Sequence, residues 1–305
     1  MSDQIKHECG IAFVRLRKPL GYYHQKYGTA LYGINKLSLL LQKQRNRGQD
    51  GAGIATVKLN PEPGRRYISR KRSNSANYLN DLLHSVYKHF RNVPEHLMQD
   101  TEWLKSNKPY TGEVLMGHLR YGTHGINSIE TCHPFMRQNN WMARNLVMAG
   151  NFNMTNTDEL FNELIDLGQF PKERSDTVTM MEKIGHFLDQ EVQVLFDNYK
   201  KIGYSNQEIS DYIKDSLDVN KILQRSFRKV DGGYAIMGML GTGESFIVRD
   251  PNGIRPAFYY FDDEVVAVAS ERPAIQTAFG VRFKDVHEVP PGHSLVVKLD
   301  GRVEI

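Results

Sequence analysis

The strand-forming runs of the last third of this chain follow one another at hairpin distance, and that spacing constrains the fold more than any other property of the sequence. Residues 233–240, 245–249, 257–261, 265–270 and 294–298 are apolar or alternating runs separated by short turns, without the helix-length crossovers a parallel sheet needs. Residues 11–17, 51–58, 67–70 and 114–119 form a similar set near the start. Helical blocks lie between: 29–43, with Leu31, Ile34, Leu37, Leu40 and Leu41 at helical spacing, then 78–105, 158–167 and 177–199. Thr155-Asn156-Thr157-Asp158 offers capping chemistry for the third block. Strands bracketing helices in this way predict an α+β fold, two stacked antiparallel sheets between helical layers in a four-layer αββα sandwich, rather than a doubly wound parallel sheet.

A chain of 305 residues can bury a substantial core, as one large domain or two smaller ones. The net charge of +4 is a mild excess spread along the chain, and Lys and Arg form no dense stripe interleaved with aromatics, so a nucleic-acid partner is not expected. The tightest basic cluster, residues 65–72, reads as a solvated face. Only two cysteines occur, Cys9 and Cys132, with no CxxC pair and no metal-ligand spacing, which argues against a disulfide framework or structural zinc and suits a reducing cytoplasm. Cys132, beside His133, reads as structural. No stretch reaches the roughly 18–20 apolar residues of a membrane span, and the polar start lacks the core of a secretion signal, so no membrane partner is expected.

Cys9 heads the strand-like run Cys9-Gly10-Ile11-Ala12-Phe13-Val14. Were residues 1–8 removed, it would carry a thiol and a free α-amine on one α-carbon. An α-amine titrates at about 7.7–8.0, so near neutral pH much of it can accept the thiol proton. The alternative is that Cys9 is a small buried apolar residue. Position alone leaves both open.

Four further segments set Cys9 in context: Gln44-Arg45-Asn46-Arg47-Gly48-Gln49-Asp50-Gly51, Gly117-His118-Leu119-Arg120-Tyr121-Gly122-Thr123-His124-Gly125, Ala149-Gly150-Asn151-Phe152-Asn153 and Ser175-Asp176-Thr177. Together they resemble the glutaminase domain of class II glutamine amidotransferases, which have the N-terminal-nucleophile hydrolase fold. Arg249-Asp250-Pro251-Asn252-Gly253-Ile254-Arg255-Pro256 and Ser270-Glu271 are similar to the RDPxGIRP and SE elements of the amidophosphoribosyltransferase family of purine synthesis. Asparagine synthetases share parts of these signatures.

The resemblance implies a removable leader at 1–8, a glutaminase domain at 9–305, and glutamine as substrate. It assigns Cys9 as nucleophile, with Asn151 and the backbone N–H of Phe152 as oxyanion donors. Arg120 would hold the glutamine carboxylate, Asp176 its ammonium, and Thr123, His124 and Arg47 would line the pocket. The planar fork of Arg120 suits a carboxylate, although a surface arginine and a helix-capping aspartate are the structural alternatives for Arg120 and Asp176. Phe152 departs from the glycine that the family places after the asparagine, and an ordinary β conformation is expected there, with slack at Gly150. The half-reaction needs no metal or cofactor; magnesium is expected only for a synthase (phosphoribosyltransferase) domain, for which these residues show no phosphoribosyl-pyrophosphate loop. That domain is therefore expected as a partner beyond this chain, and a homo-oligomer is left open. A cysteine amidase acting on another C–N bond, and a non-catalytic assembly or regulatory domain of the same fold, are the competing expectations.

Overall fold

The computed structural model describes residues 8–122 and 128–305. In chain order the first part runs β1 (Gly10–Leu16), α1 (Leu20–Tyr27), α2 (Tyr32–Lys43), β2 (Gly51–Val57), β3 (Ile68–Ser73), α3 (Tyr78–Tyr87), α4 (Glu95–Gln99), α5 (Thr101–Asn107) and β4 (Val114–Arg120). The middle comprises β5 (Phe135–Arg137), β6 (Leu146–Met154), α6 (Thr157–Asp166), α7 (Asp176–Ile202), α8 (Asn206–Ser216) and α9 (Val219–Ser226). Then come β7 (Gly232–Leu240), β8 (Ser245–Arg249), β9 (Phe258–Phe261), β10 (Val265–Ala269), α10 (Arg272–Phe279), β11 (His287–Glu288), β12 (Ser294–Val297) and β13 (Val303–Glu304). The chain divides into two compact units.

The first unit comprises Met1–Pro134, Ala149–Asn151 and Pro256–Val289. Its sheet has the order β11-β9-β10-β1-β4-β2-β3, with antiparallel pairing throughout. β1 lies in the middle, held by β10 on one edge and β4 on the other, and all seven of its residues are buried. A strand enclosed on every side must be apolar at successive positions, which is why Ile11, Ala12, Phe13 and Val14 run unbroken. α2 covers β1 and β4 with Leu37, Leu40 and Leu41, each fully buried and each contributing roughly 1.5–3 kcal/mol of hydrophobic stabilisation.

The second unit comprises Phe135–Met148, Phe152–Arg255 and Pro290–Ile305, with sheet order β13-β12-β8-β7-β6-β5. α7 is its spine. Met180, Ile184, Leu188 and Val192 recur every fourth residue and are wholly buried in one apolar cluster with Ile209 and Ile213 of α8 and Ile222 and Leu223 of α9. Ser175 caps α7 by accepting from Val178 N at 3.4 Å.

Three expectations need correction. The block at 78–105 is three helices: Pro94 occupies the cap position of α4, and Asp100 starts α5 by accepting from Trp103 N at 2.9 Å. Asn156 stands at the cap position of α6, but its side chain donates to Lys229 O and accepts from Asp231 N, leaving the cap unmade. Within the basic cluster, Arg65 and Arg66 are exposed, whereas Arg70 donates to Pro134 O and Arg72 to Cys132 O. No described helix is long and apolar enough to cross a membrane.

Candidate active site

Cys9 immediately precedes β1. The antiparallel register pairs Gly10 with Leu119, so one further step brings Cys9 level with Arg120, the last residue of β4. The chain leaving β4 closes on the sulfur: Tyr121 N donates to Cys9 Sγ at 3.4 Å, and the thiol faces Tyr121 O at 3.6 Å. Burial holds the Cys9 thiol above its ordinary pKa, opposed in part by the Tyr121 backbone hydrogen bond and then by Arg120 and Arg47. The cysteine is free and half-buried.

The strand behind Cys9 is pinned from two sides. Ile11 N donates to Ser270 Oγ at 2.9 Å and Ser270 N to Ile11 O at 3.1 Å, while Gln44 Nε2 reaches the same carbonyl at 2.8 Å. The loop before β2 lies directly on the end of β4: a Cβ on Gly48 would stand 2.6 Å from the Leu119 carbonyl carbon and 2.8 Å from Arg120 N. Asp50 N donates to Arg120 O, and Gly122 N donates to Asp50 Oδ2 at 2.7 Å. Arg120 is 7% exposed.

From the same loop, Arg47 donates through Nε to Cys9 O at 3.2 Å and through Nη2 to Glu8 Oε2 at 3.0 Å, and its Nη1 lies 3.7 Å from Glu271 Oε1. Burial lowers the Arg47 pKa, opposed by Glu271. Asn46 Nδ2 also donates to Glu271 at 3.1 Å. Asn151, 4% exposed on β6, donates through Nδ2 to Glu8 Oε2 at 3.3 Å. One carboxylate oxygen, on the residue bonded to the Cys9 nitrogen, therefore collects an arginine N–H and an asparagine N–H.

Gly150, just before Asn151, is held by two buried imidazoles. Gly150 N donates to His133 Nδ1 at 3.1 Å, His118 Nε2 lies 3.0 Å from Gly150 O, and the two rings are 4.3 Å apart. Burial lowers His118 to about 4, with Arg120 acting in the same sense and the Gly150 bond opposing it. His133 is pushed well down by burial, then by His118, Arg120 and Arg72.

The first unit thus brings together Cys9, Arg47, Arg120 and Asn151. Asp176 and Phe152 belong to the second unit. There the Asp176 carboxylate accepts from Met154 N at 2.9 Å and Thr157 Oγ1 at 2.5 Å, and Ser175, not Asp176, caps α7. Phe152 continues β6 without a positive φ, and its ring packs against that unit's apolar cluster. Thr123 and His124 lie outside the described residues.

Sequence reasoning passed over Glu8, Gln44, Tyr121, His118, His133 and the local roles of Ser270 and Glu271. The continuous apolar runs of β1 and β4 were the available signal for two buried strands, but the partners come from segments far apart in the chain. The Arg249–Pro256 element is organised around fully buried Asp250, which accepts from the backbone N–H groups of Asn252, Ile254 and Arg255 within it and of Tyr234 on β7, at 2.9–3.2 Å. Cys132 is fully buried, its thiol facing Ser128 O and Ser73 O. Among the described residues, no group of three or more His, Cys, Asp or Glu side chains is arranged to hold a metal ion.

Comparison with known proteins adds an independent line. No protein-family model matches the chain. The curated amidophosphoribosyltransferase of Pasteurella multocida strain Pm70 is 26% identical over 300 residues, which is 97% of this chain and 47% of that protein. That of Bacillus subtilis strain 168 is 27% identical over 275 residues, 88% of this chain and 43% of that protein. A solved B. subtilis glutamine phosphoribosylpyrophosphate amidotransferase, complexed with ADP and GMP, aligns with a TM-score of 0.57 at 22% identity, covering 97% of this chain and 49% of that one. The chain spans about half the length of the curated relatives it matches. The α+β fold with two antiparallel sheets, expected from strand spacing and motif resemblance, is the fold observed. Over nearly its whole length, this chain is a homologue of curated amidophosphoribosyltransferases and has the fold of the matching part of the solved B. subtilis enzyme.

Proposed function

We propose that residues 9–305 hydrolyse glutamine to glutamate and ammonia, with Cys9 as nucleophile once residues 1–8 have been removed. The observation that carries this reading is the carboxylate of Glu8, held beside Cys9 by Asn151 Nδ2 and Arg47 Nη2. Two N–H donors that converge on one anionic oxygen of the residue joined to Cys9 are of the kind an oxyanion needs. Removal of Glu8 would free both N–H groups and expose the Cys9 amine in one event.

Burial raises the thiol above its ordinary pKa, so attack requires a base, and the new α-amine titrates near the working pH. In the proposed step the amine takes the thiol proton, and sulfur attacks the side-chain carbonyl carbon. The C=O electron pair moves onto oxygen beside Asn151. Collapse of this adduct breaks the C–N bond; the amine returns its proton to the leaving nitrogen, which departs as ammonia. Water then attacks the γ-glutamyl thioester, one of its protons returning to sulfur, and glutamate leaves. Arg120 is the proposed partner of the glutamine α-carboxylate. The resemblance gives the ammonium to Asp176, whose carboxylate already accepts two hydrogen bonds in its own unit, and no step is routed through it.

The homologues bear the name amidophosphoribosyltransferase, and by that likeness we propose a phosphoribosyl acceptor for the ammonia, handled by a synthase part such as the longer relatives have room for. The test of the half-reaction is release of glutamate and ammonia by the chain beginning at Cys9. Cys9→Ala is expected to abolish it. Asn151→Ala is expected to lower kcat by about 10²–10³, with KM little changed. Turnover by Cys9→Ala would sink the reading.

A further inference from the structure

We propose that His118 and His133 are positioning residues which hold the Gly150 peptide groups and so fix Asn151 where its side chain meets the oxyanion. The inference rests on the glutaminase reading for its catalytic meaning. Its geometry stands separately.

Gly150 lacks a Cβ and therefore has the widest choice of φ and ψ of any residue, yet it sits directly before the proposed oxyanion donor. Both peptide planes flanking its α-carbon are gripped. The plane before it contains the N–H that donates to His133 Nδ1 at 3.1 Å. The plane after it contains the C=O that lies 3.0 Å from His118 Nε2, and this same plane carries the nitrogen of Asn151. Pinning the two planes fixes the two dihedrals between them, and with them the position of the Asn151 α-carbon.

The chemistry sets the two tautomers. A backbone N–H can only donate, so His133 Nδ1 is bare and its proton is on Nε2. A carbonyl can only accept, so His118 carries its proton on Nε2, and its Nδ1 is left buried without a partner. A buried acceptor without a partner costs free energy that a leucine would not, which points to a task for His118 besides filling space. Both imidazoles are enclosed, at 1% and 8% exposure, and burial keeps them neutral. The pair thus presents one donor and one acceptor to one residue, which two protonated imidazoles could not do.

A displacement of about 1 Å in a catalytic group can cost on the order of 10²-fold in rate. In the chain beginning at Cys9, His118→Leu and His133→Leu are expected to lower kcat for glutamine 10- to 100-fold, with KM changed less than 2-fold. Alkylation of Cys9 by iodoacetamide is expected to be unchanged, since that reaction needs no oxyanion donor. His118→Gln keeps a donor near the ε position and His133→Asn an acceptor near the δ position; both are expected to recover kcat to within a few-fold. Amide hydrogen exchange supplies a readout independent of turnover: Gly150 N–H should exchange faster in His133→Leu and be protected again in His133→Asn. Unchanged kcat in the leucine variants, or no rescue by the conservative ones, overturns the positioning role. A Gly150 amide that stays protected in His133→Leu overturns the clamp itself. Absence of glutaminase activity in the unsubstituted chain, together with the expected exchange pattern, would overturn the catalytic reading and leave the clamp standing.

Discussion

Acidification is expected to destabilise the first unit through His118, by an amount that follows from its burial. The imidazole is 1% exposed, and its pKa falls from an ordinary value of about 6.5 to about 4. The groups acting on it are the burial itself, Arg120, which lowers it further, and the hydrogen bond to Gly150, which opposes them. His133 lies 4.3 Å away and is depressed in the same direction. Between about pH 6.5 and 4 the unfolded chain binds a proton that the native His118 refuses. Its contribution is therefore complete above about pH 6.5 and is lost as pH falls towards 4. A shift of that size corresponds to about 3 kcal/mol. The assay is urea unfolding of the unsubstituted protein and His118→Gln at pH 7 and pH 4, with equal slopes as the condition for comparison. Glutamine does not titrate, so the stability of the unsubstituted protein relative to the variant should fall by about 3 kcal/mol between the two pH values. A difference independent of pH would show that the imidazole is not held neutral by its surroundings, and the reasoning would fail.

Arg120→Lys replaces a planar fork by a point charge and should raise KM for glutamine by about 10-fold or more while kcat stays within a few-fold, read from steady-state kinetics. Gly48→Ala puts a methyl group 2.6 Å from the Leu119 carbonyl carbon, and thermal unfolding should register a loss of about 1–3 kcal/mol. Asp250→Ala leaves four backbone N–H groups without their acceptor, so a loss of at least about 3 kcal/mol is expected in urea unfolding.

The sequence announced the paired elements whose residues speak for themselves. The enclosed β1 carries the unbroken apolar run Ile11–Val14, and α2 repeats its leucines at helical spacing, so both were legible from local pattern. α1 was not: Tyr22, Tyr23 and Tyr27 hide its period, and its stability comes from packing of Tyr23 against the core. β6 is missing from the strand runs expected from the sequence, although the ordinary β conformation expected at Phe152 agrees with a strand that persists to Met154. At the site, Cys9, Arg47, Arg120 and Asn151 stood out through motif resemblance, and the first unit places them together. The contacts of Glu8 could not be anticipated, because a carboxylate ahead of a cysteine carries no local sign of which distant arginine or asparagine will meet it. His118 and His133 were hidden for a similar reason: one is a lone histidine in the apolar run of β4, the other lies in a polar loop before Pro134, and their common target, Gly150, has no side chain to advertise it.

The central claim is that Cys9 is the glutamine-directed nucleophile. It is tested most directly by treating the chain that begins at Cys9 with a diazo-ketone analogue of glutamine and locating the adduct by intact-mass and peptide mapping. The thiolate displaces N2 from the protonated diazo carbon, so the account predicts one adduct per chain, of reagent mass less N2, on Cys9 and suppressed by excess glutamine. An adduct on Cys132, no adduct, or labelling that glutamine leaves unaffected would contradict it.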